Sequence, residues 1–333
     1  MSEATPADSK SKPRPPVRRF SHRAMATIFE VLVAGLNESA ARDAAEAALA
    51  EIDRMEKLLS RYKAYSDISR VNAAEPGQAV VLEVEAVECL QAAMEMWRLT
   101  GGAFDPTAGS ADGGESAGKG MKRIALDDDA MTATRMDAGV RLDLGGIGKG
   151  YALDRAAEVL AEWGARDALL HGGASTLLAM GSRPDVEGWV ADLRNPSDDS
   201  AVLGAVTLKD CSFSGSSTAH ARHIIDPRTQ QAVPADRAAW AIAEDAATAD
   251  ALTTALCVMS ETEIKDFATA NPKSAFILGR RGEGTWRLAE HGPKVLRPKT
   301  GNREPGTRGH KCSRQCPTDE SARSDGESSG FAV

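Results

Sequence analysis

The sequence predicts an α+β protein built on a mixed sheet, and three observations carry that reading. The 333 residues are 42% hydrophobic, enough to bury a large core in one domain or two lobes. Strand-like and helix-like segments follow one another without the strict alternation of a doubly wound fold. No internal repeat divides the chain into smaller units.

Taken in order, residues 1–19 are rich in Pro, Ser, Lys and Arg and read as a disordered lead-in, because such a composition cannot offset its ordering entropy. A folded domain is expected over 20–297. Apolar residues at helical spacing predict helices over 38–62 (Ala45, Ala48, Ile52, Met55, Leu58, Leu59) and over 87–99, the second stopped by Gly101-Gly102. Strands are predicted at 28–33, 140–144, 168–170, 189–193, 202–208 and 275–278. Residues 298–333 are again polar and glycine-rich and read as a disordered tail. Within it, His310, Cys312 and Cys316 have an unusual spacing for zinc and lack a fourth ligand, so a solvated tail is the better reading.

The net charge of −8 argues against a general nucleic-acid binder, which needs a basic surface. An anionic ligand must then be held by a local device. Of the five cysteines, three sit in apolar runs as small hydrophobes, and no disulfide framework is implied. No stretch approaches the roughly 18 apolar residues of a membrane span. Arg18-Arg19-Phe20 before the run 24–35 resembles an export signal, but Glu30 interrupts it and no clear cleavage site follows. A cytoplasmic protein is therefore expected.

Three constellations carry chemistry. The first is Leu142-Asp143-Leu144-Gly145-Gly146-Ile147-Gly148-Lys149-Gly150-Tyr151, a junction from a predicted strand to a helix starting near Tyr151 and running through Leu160. Backbone amides and the positive end of a helix suit phosphate there. It is not a Walker loop, since Gly150 stands where Ser or Thr must follow the lysine, and it is not a dinucleotide fingerprint, since Tyr151 falls on the last glycine position. A tight turn that merely lets helix and strand pack closely is an equal alternative. The second is the Ala-rich helix over 244–259, where Asp250 and Thr254 lie one turn apart on one face. A carboxylate and a hydroxyl so placed suit magnesium shared with substrate phosphates, although spacing alone favours a threonine that back-bonds within its helix. The third is His223-Ile224-Ile225-Asp226-Pro227, with a histidine able to act as general base and an aspartate near it, or else a buried structural histidine. The hydroxyl-rich Ser212-Phe213-Ser214-Gly215-Ser216-Ser217 lacks the Gly-x-Ser-x-Gly elbow of a serine hydrolase.

The order of these motifs resembles the FAD:protein FMN transferase (ApbE) family. The likeness runs from Met25-Ala-Thr-Ile-Phe-Glu through Leu59-Ser-Arg-Tyr62, Ser66-Asp-Ile-Ser-Arg-Val-Asn72 and Gly101-Gly-Ala-Phe-Asp105-Pro-Thr107. It continues through the glycine loop to Asp154, then Gly172-Gly173, His223 to Thr229, and Ala249-Asp250-Ala-Leu-Thr-Thr254-Ala. It spans nearly all of residues 20–297.

The resemblance implies an α+β flavin transferase fold with FAD as substrate and Mg2+ as cofactor. It implies that Asp250, Thr254 and the carbonyl of Gly146 hold the metal. Flavin contacts carry over to Met25, Tyr62, Asp143, Lys149 and Ile224. His223 becomes the candidate base for the hydroxyl of a threonine or serine on an acceptor flavoprotein, with Asp226 as its orienter and AMP as the leaving product. Splitting of FAD by water, and a non-catalytic FAD carrier, are the alternatives. Several features depart from the family pattern. The stretch 109–118 replaces a segment that usually holds Trp-Gly-Phe, His171 and Ala174 flank Gly172-Gly173 where Asn and Asp are usual, and Gln230 stands for a glycine. The stretch from Gly215 to His223 is also shorter than the usual form, and no lipobox cysteine is evident, unlike many exported relatives.

Overall fold

A computed structural model of the chain describes residues 16–108, 120–184, 186–219 and 224–298. In chain order the elements are β1 (Arg18–Ala24), β2 (Thr27–Ala34), α1 (Glu38–Leu59), α2 (Asp67–Ala73), β3 (Ala79–Val81), α3 (Val84–Leu99), a 3-10 turn (Gly120–Arg123), β4 (Ile124–Asp127) and β5 (Thr132–Arg135). They continue with α4 (Gly148–Glu162), β6 (Asp167–Gly172), β7 (Thr176–Met180), β8 (Trp189–Asn195), β9 (Asp198–Leu208), β10 (Cys211–Ser217) and β11 (Arg237–Ala243). The last are α5 (Ala246–Val258), α6 (Glu261–Ala270), β12 (Ala275–Gly282), β13 (Thr285–His291) and β14 (Arg297–Pro298).

Eight strands form the main sheet in the order β1-β2-β6-β7-β10-β11-β12-β13. The α+β class is as expected, but the sheet is not mixed: every pairing in it is antiparallel. Local chemistry explains part of this. Met25-Ala26 (φ 47° and 58°) joins β1 to β2, and Glu283-Gly284 (φ 50° and 81°) joins β12 to β13, both as two-residue turns with positive φ that match strand twist. Such a turn can only return the chain antiparallel. Strand β1 begins at Arg18, inside the segment read as lead-in; residues 1–15, the stretch 109–118 and the His310–Cys316 motif lie outside the described residues.

The predicted strand at 140–144 does not form. Asn72 takes its place as partner: its Nδ2 donates to the Leu142 carbonyl at 2.8 Å and its Oδ1 accepts from Leu142 N at 2.7 Å. A buried side-chain amide thus satisfies both backbone groups that a ladder would have used. Arg135, itself buried, donates Nη1 to the carbonyls of Asp137, Ala138 and Val140 and so holds the same loop.

Helix α1 starts where Asn37 Oδ1 accepts from Ala40 N at 2.9 Å, a side-chain N-cap. It buries Ala41, Ala44, Ala48, Ile52, Met55 and Leu59 along one stripe. Alternation along the strands splits the sheet between two cores. Leu170, Leu178, Ala241 and Phe276 join the helical core, while Leu169, Ala179, Trp240 and Ile277 join a second core with Trp189, Leu193 and Val206 of a small β14-β9-β8 sheet. Helix α4 packs on α5 at very short range: a Cβ on Gly150 would lie 2.1 Å from the Ala246 carbonyl oxygen. Only glycine permits that approach. All described residues fall in one compact unit, Met1–Lys299.

Candidate metal and phosphate site

Helix α5 is pinned at both ends, which fixes the residues it carries. At its start, the Asp154 carboxylate from α4 accepts from Ala246 N (2.7 Å) and Ala247 N (2.8 Å). Burial pushes the Asp154 carboxyl up to about 7, against those two donors, which favour its charged form. At its end, Arg237 Nη1 donates to the carbonyls of Cys257 (2.9 Å) and Val258 (3.3 Å), a favourable cation at a helix C-terminus.

Asp250 therefore sits at a defined place, 4% exposed. Its Oδ2 accepts from Gly150 N at 3.3 Å and meets Lys149 Nζ at 3.4 Å. Its Oδ1 accepts from the hydroxyls of Thr176 (3.3 Å) and Ser214 (3.4 Å). A buried carboxylate is tolerable only when surrounded by donors in this way. Thr254 lies one turn further along α5 and is half-buried. A Cβ built on Gly146 would be 3.4 Å from Thr254 Oγ1 and 3.3 Å from Phe104 Cε2, so the main chain at Gly146 lies against that hydroxyl. Thr254 meets the main chain at Gly146 and Asp250 meets Lys149 and Gly150, so the two partners of the α5 face both come from one loop about a hundred residues earlier.

This donor set fits the implied cation. One carboxylate, one hydroxyl and a main-chain carbonyl are hard oxygen donors, as Mg2+ requires when substrate phosphates and water complete its shell.

Helix α4 starts at Gly148, three residues before the expected position, because Leu144 O accepts from both Ile147 N (3.1 Å) and Gly148 N (2.7 Å). Lys149 is thus in the first helical turn, its Nζ also donating to Gly145 O at 3.2 Å. Asp143 Oδ1 accepts from Gly145 N at 3.0 Å, while its Oδ2 is 3.1 Å from Arg61 Nε. The Arg61 guanidinium also lies 4.6 Å from the Tyr62 ring centroid, a cation–π distance, and Tyr62 is 82% exposed. Arg61 thereby joins Tyr62 to Asp143. Met25, in its left-handed turn, donates its N–H to Glu56 Oε1 at 2.9 Å, and the other Glu56 oxygen holds Lys63 Nζ at 2.9 Å. The turn at Met25 and the Tyr62 loop are tied through that glutamate.

His223 lies outside the described residues. Beyond it, Ile224 is half-buried against the helical core, and its carbonyl accepts from Val233 N at 3.0 Å. Asp226 accepts from Arg228 at the backbone N, Nε and Nη2 (2.9, 2.9 and 3.0 Å), and Arg228 reaches on to Glu263 of α6. Burial opposes ionisation of Asp226, yet the Arg228 guanidinium and the turn amides outweigh it and hold the carboxyl below its ordinary range. Its oxygens are engaged in the turn. Gln230, where a glycine was expected, keeps φ at 60° and donates Nε2 to Pro227 O at 2.9 Å, so a side-chain bond supports a conformation that glycine would adopt freely.

The sequence reading missed Asp154, Arg61, Glu56, Thr176 and Ser214. One signal pointed to Ser214: serines at 212, 214 and 216 recur with the period of a strand face. What that face touches is settled only by packing.

An α+β scaffold thus sets a lysine in the first turn of one helix beside a buried carboxylate of another, with a threonine hydroxyl and a glycine main chain packed next to them. The chain belongs to the ApbE family, whose family model matches residues 25–278. It is 30% identical over 269 residues to the FAD:protein FMN transferase of Rhodobacter capsulatus, covering 71% of this chain and 50% of that protein, so it spans half of that relative's length. It is 23% identical over 317 residues to the protein of the same name from Klebsiella pneumoniae, covering 84% of this chain and 90% of that one. Among solved structures, the ApbE protein of Thermotoga maritima matches with a TM-score of 0.73 at 26% identity, covering 83% of this chain and 97% of that one. The flavinyl transferase ApbE of Pseudomonas stutzeri, at 23% identity and a TM-score of 0.70 over 83% of this chain and 95% of that one, shares the fold.

Proposed function

We propose that this chain is an FAD:protein FMN transferase: it moves the FMN part of FAD, with Mg2+, to a threonine or serine hydroxyl of an acceptor flavoprotein and releases AMP. The observation that carries the reading is the convergence of Asp250, Thr254 and the Gly146 backbone beside Lys149 at the start of α4, in a chain of this family.

In this reading Asp250, Thr254 and the Gly146 carbonyl hold Mg2+, which when bound neutralises charge on the pyrophosphate oxygens. Lys149 binds the phosphates at the positive end of α4, with the ammonium turning from Gly145 O towards them. Arg61 holds Tyr62 as an exposed aromatic platform for the isoalloxazine ring, while Met25, Asp143 and Ile224 border the flavin. His223 takes the proton of the acceptor hydroxyl as its oxygen bonds to the FMN phosphorus and the bond to the AMP oxygen breaks. Asp226, locked by Arg228, fixes the turn that follows the histidine. The catalytic domain takes in the folded elements from β1 to β14, residues 18–298, and the enzyme acts in the cytoplasm. Among the described residues no helix is long and apolar enough to cross a membrane.

Incubation with FAD, Mg2+ and a competent acceptor flavoprotein should raise the acceptor's mass by one FMN moiety, with equimolar AMP. Release of FMN and AMP without acceptor labelling would assign the site to water instead, and tight FAD binding without turnover would make the chain a carrier.

A further inference from the structure

Thr176 and Ser214 are both completely buried. They stand directly opposite each other in the β7–β10 register, so their side chains share one face of the sheet. That face looks at α5. Their hydroxyl oxygens are 3.2 Å apart, and both reach the same atom, Asp250 Oδ1, at 3.3 and 3.4 Å. The other oxygen, Oδ2, faces Lys149 and Gly150 N at the glycine loop.

A purely structural contact between a sheet and an alanine-rich helix is most cheaply made of apolar side chains, since each buried hydroxyl costs free energy unless it is hydrogen-bonded. Two hydroxyls converging on one carboxylate oxygen do something different. They fix the rotation of the carboxylate about its last side-chain bond, a torsion that is otherwise soft, and so determine which oxygen faces the loop.

We propose that Thr176 and Ser214 are positioning residues that orient the Asp250 carboxylate for metal and phosphate binding. The inference rests on the reading of Asp250 as the metal carboxylate. Neither hydroxyl touches the reacting groups; each acts through Asp250, as partners behind a metal ligand commonly do. Removing them frees the carboxylate to rotate and to compete for Lys149.

The test uses the full chain, with Mg2+ titrated in the presence and absence of FAD and followed by calorimetry and by the rise in melting temperature. Thr176→Val and Ser214→Ala should each weaken Mg2+ binding, on the order of 10-fold to 100-fold for the double variant. Thr176→Ser, which keeps the hydroxyl, should restore it. In the transferase assay, the Mg2+ concentration for half-maximal rate should rise more than the rate at saturating Mg2+ falls. In an Asp250→Ala background, Thr176→Val should cause no further loss of Mg2+ affinity, because the group it orients is gone.

If Thr176→Val lowers the metal-free melting temperature but leaves Mg2+ affinity at the wild-type value, the pair is structural and the proposal fails. If Asp250→Ala itself leaves Mg2+ binding unchanged, the metal-site reading fails first, and the two failures are thereby told apart.

Discussion

The two faces of the main sheet are built from the same strands and do opposite work. On one side, Trp189, Leu193 and Val206 of the small β14-β9-β8 sheet meet Leu169, Trp240 and Ile277 in an apolar layer, with the Trp189 indole N–H satisfied by Met180 O at 3.0 Å. On the other, α4 and α5 cover Leu170, Leu178 and Ala241, but between them lie Asp250, Lys149, Thr176 and Ser214. One face is stabilised by burial, whereas the other uses part of its interior to surround a buried carboxylate with donors. The sheet separates the two because side chains alternate, so a strand can serve a dry core and a polar site at once.

That separation can be broken from either side. The largest effect on stability should come from the dry face: Trp189→Ala removes a fully buried indole and should cost about 3–5 kcal/mol. Chemical denaturation should show the loss, while the Mg2+ dependence of the surviving folded protein stays at the wild-type value. A change in Mg2+ affinity would show that the two faces are coupled.

Gly150→Ala acts on the other face. The added Cβ meets the Ala246 carbonyl oxygen at 2.1 Å, so α4 and α5 must separate, at roughly 1–3 kcal/mol. Because Gly150 N donates to Asp250 Oδ2, this variant, unlike Trp189→Ala, should lower stability and weaken Mg2+ binding together. A calorimetric titration beside a denaturation curve separates the two losses.

A third effect is a pH slope at Asp154. Its folded carboxyl is raised by burial to about 7, above the value it has in an unfolded chain. The folded protein therefore holds a proton that the unfolded chain releases. The resulting stability is full below about pH 4 and is lost as pH rises towards 7. Asp154→Asn, which still accepts one α5 amide, should flatten this part of the curve. The difference in urea midpoint between wild type and variant should change between pH 4.5 and 7.5, and a constant difference would assign Asp154 a capping role alone.

The sequence by itself determined the elements whose signals are local. The apolar stripe of α1, the pairing of Asp250 with Thr254 on one helix face and the glycine-rich entry to α4 follow from spacing, and the order of motifs pointed to the family. Tertiary structure decided the rest, because the deciding partner was distant. Residues 140–144 have strand-like composition, yet Asn72 supplies the partners a strand would need. The sheet is antiparallel because of how each strand returns, and only part of that is visible in two-residue turns such as Met25-Ala26. Asp250 looked like one half of a helical pair; packing against β7 and β10 added Thr176 and Ser214, and packing of α4 at Gly150 added Lys149. Spacing along a chain fixes which side chains share a face, while the groups that surround a buried charge come from wherever the fold brings a donor.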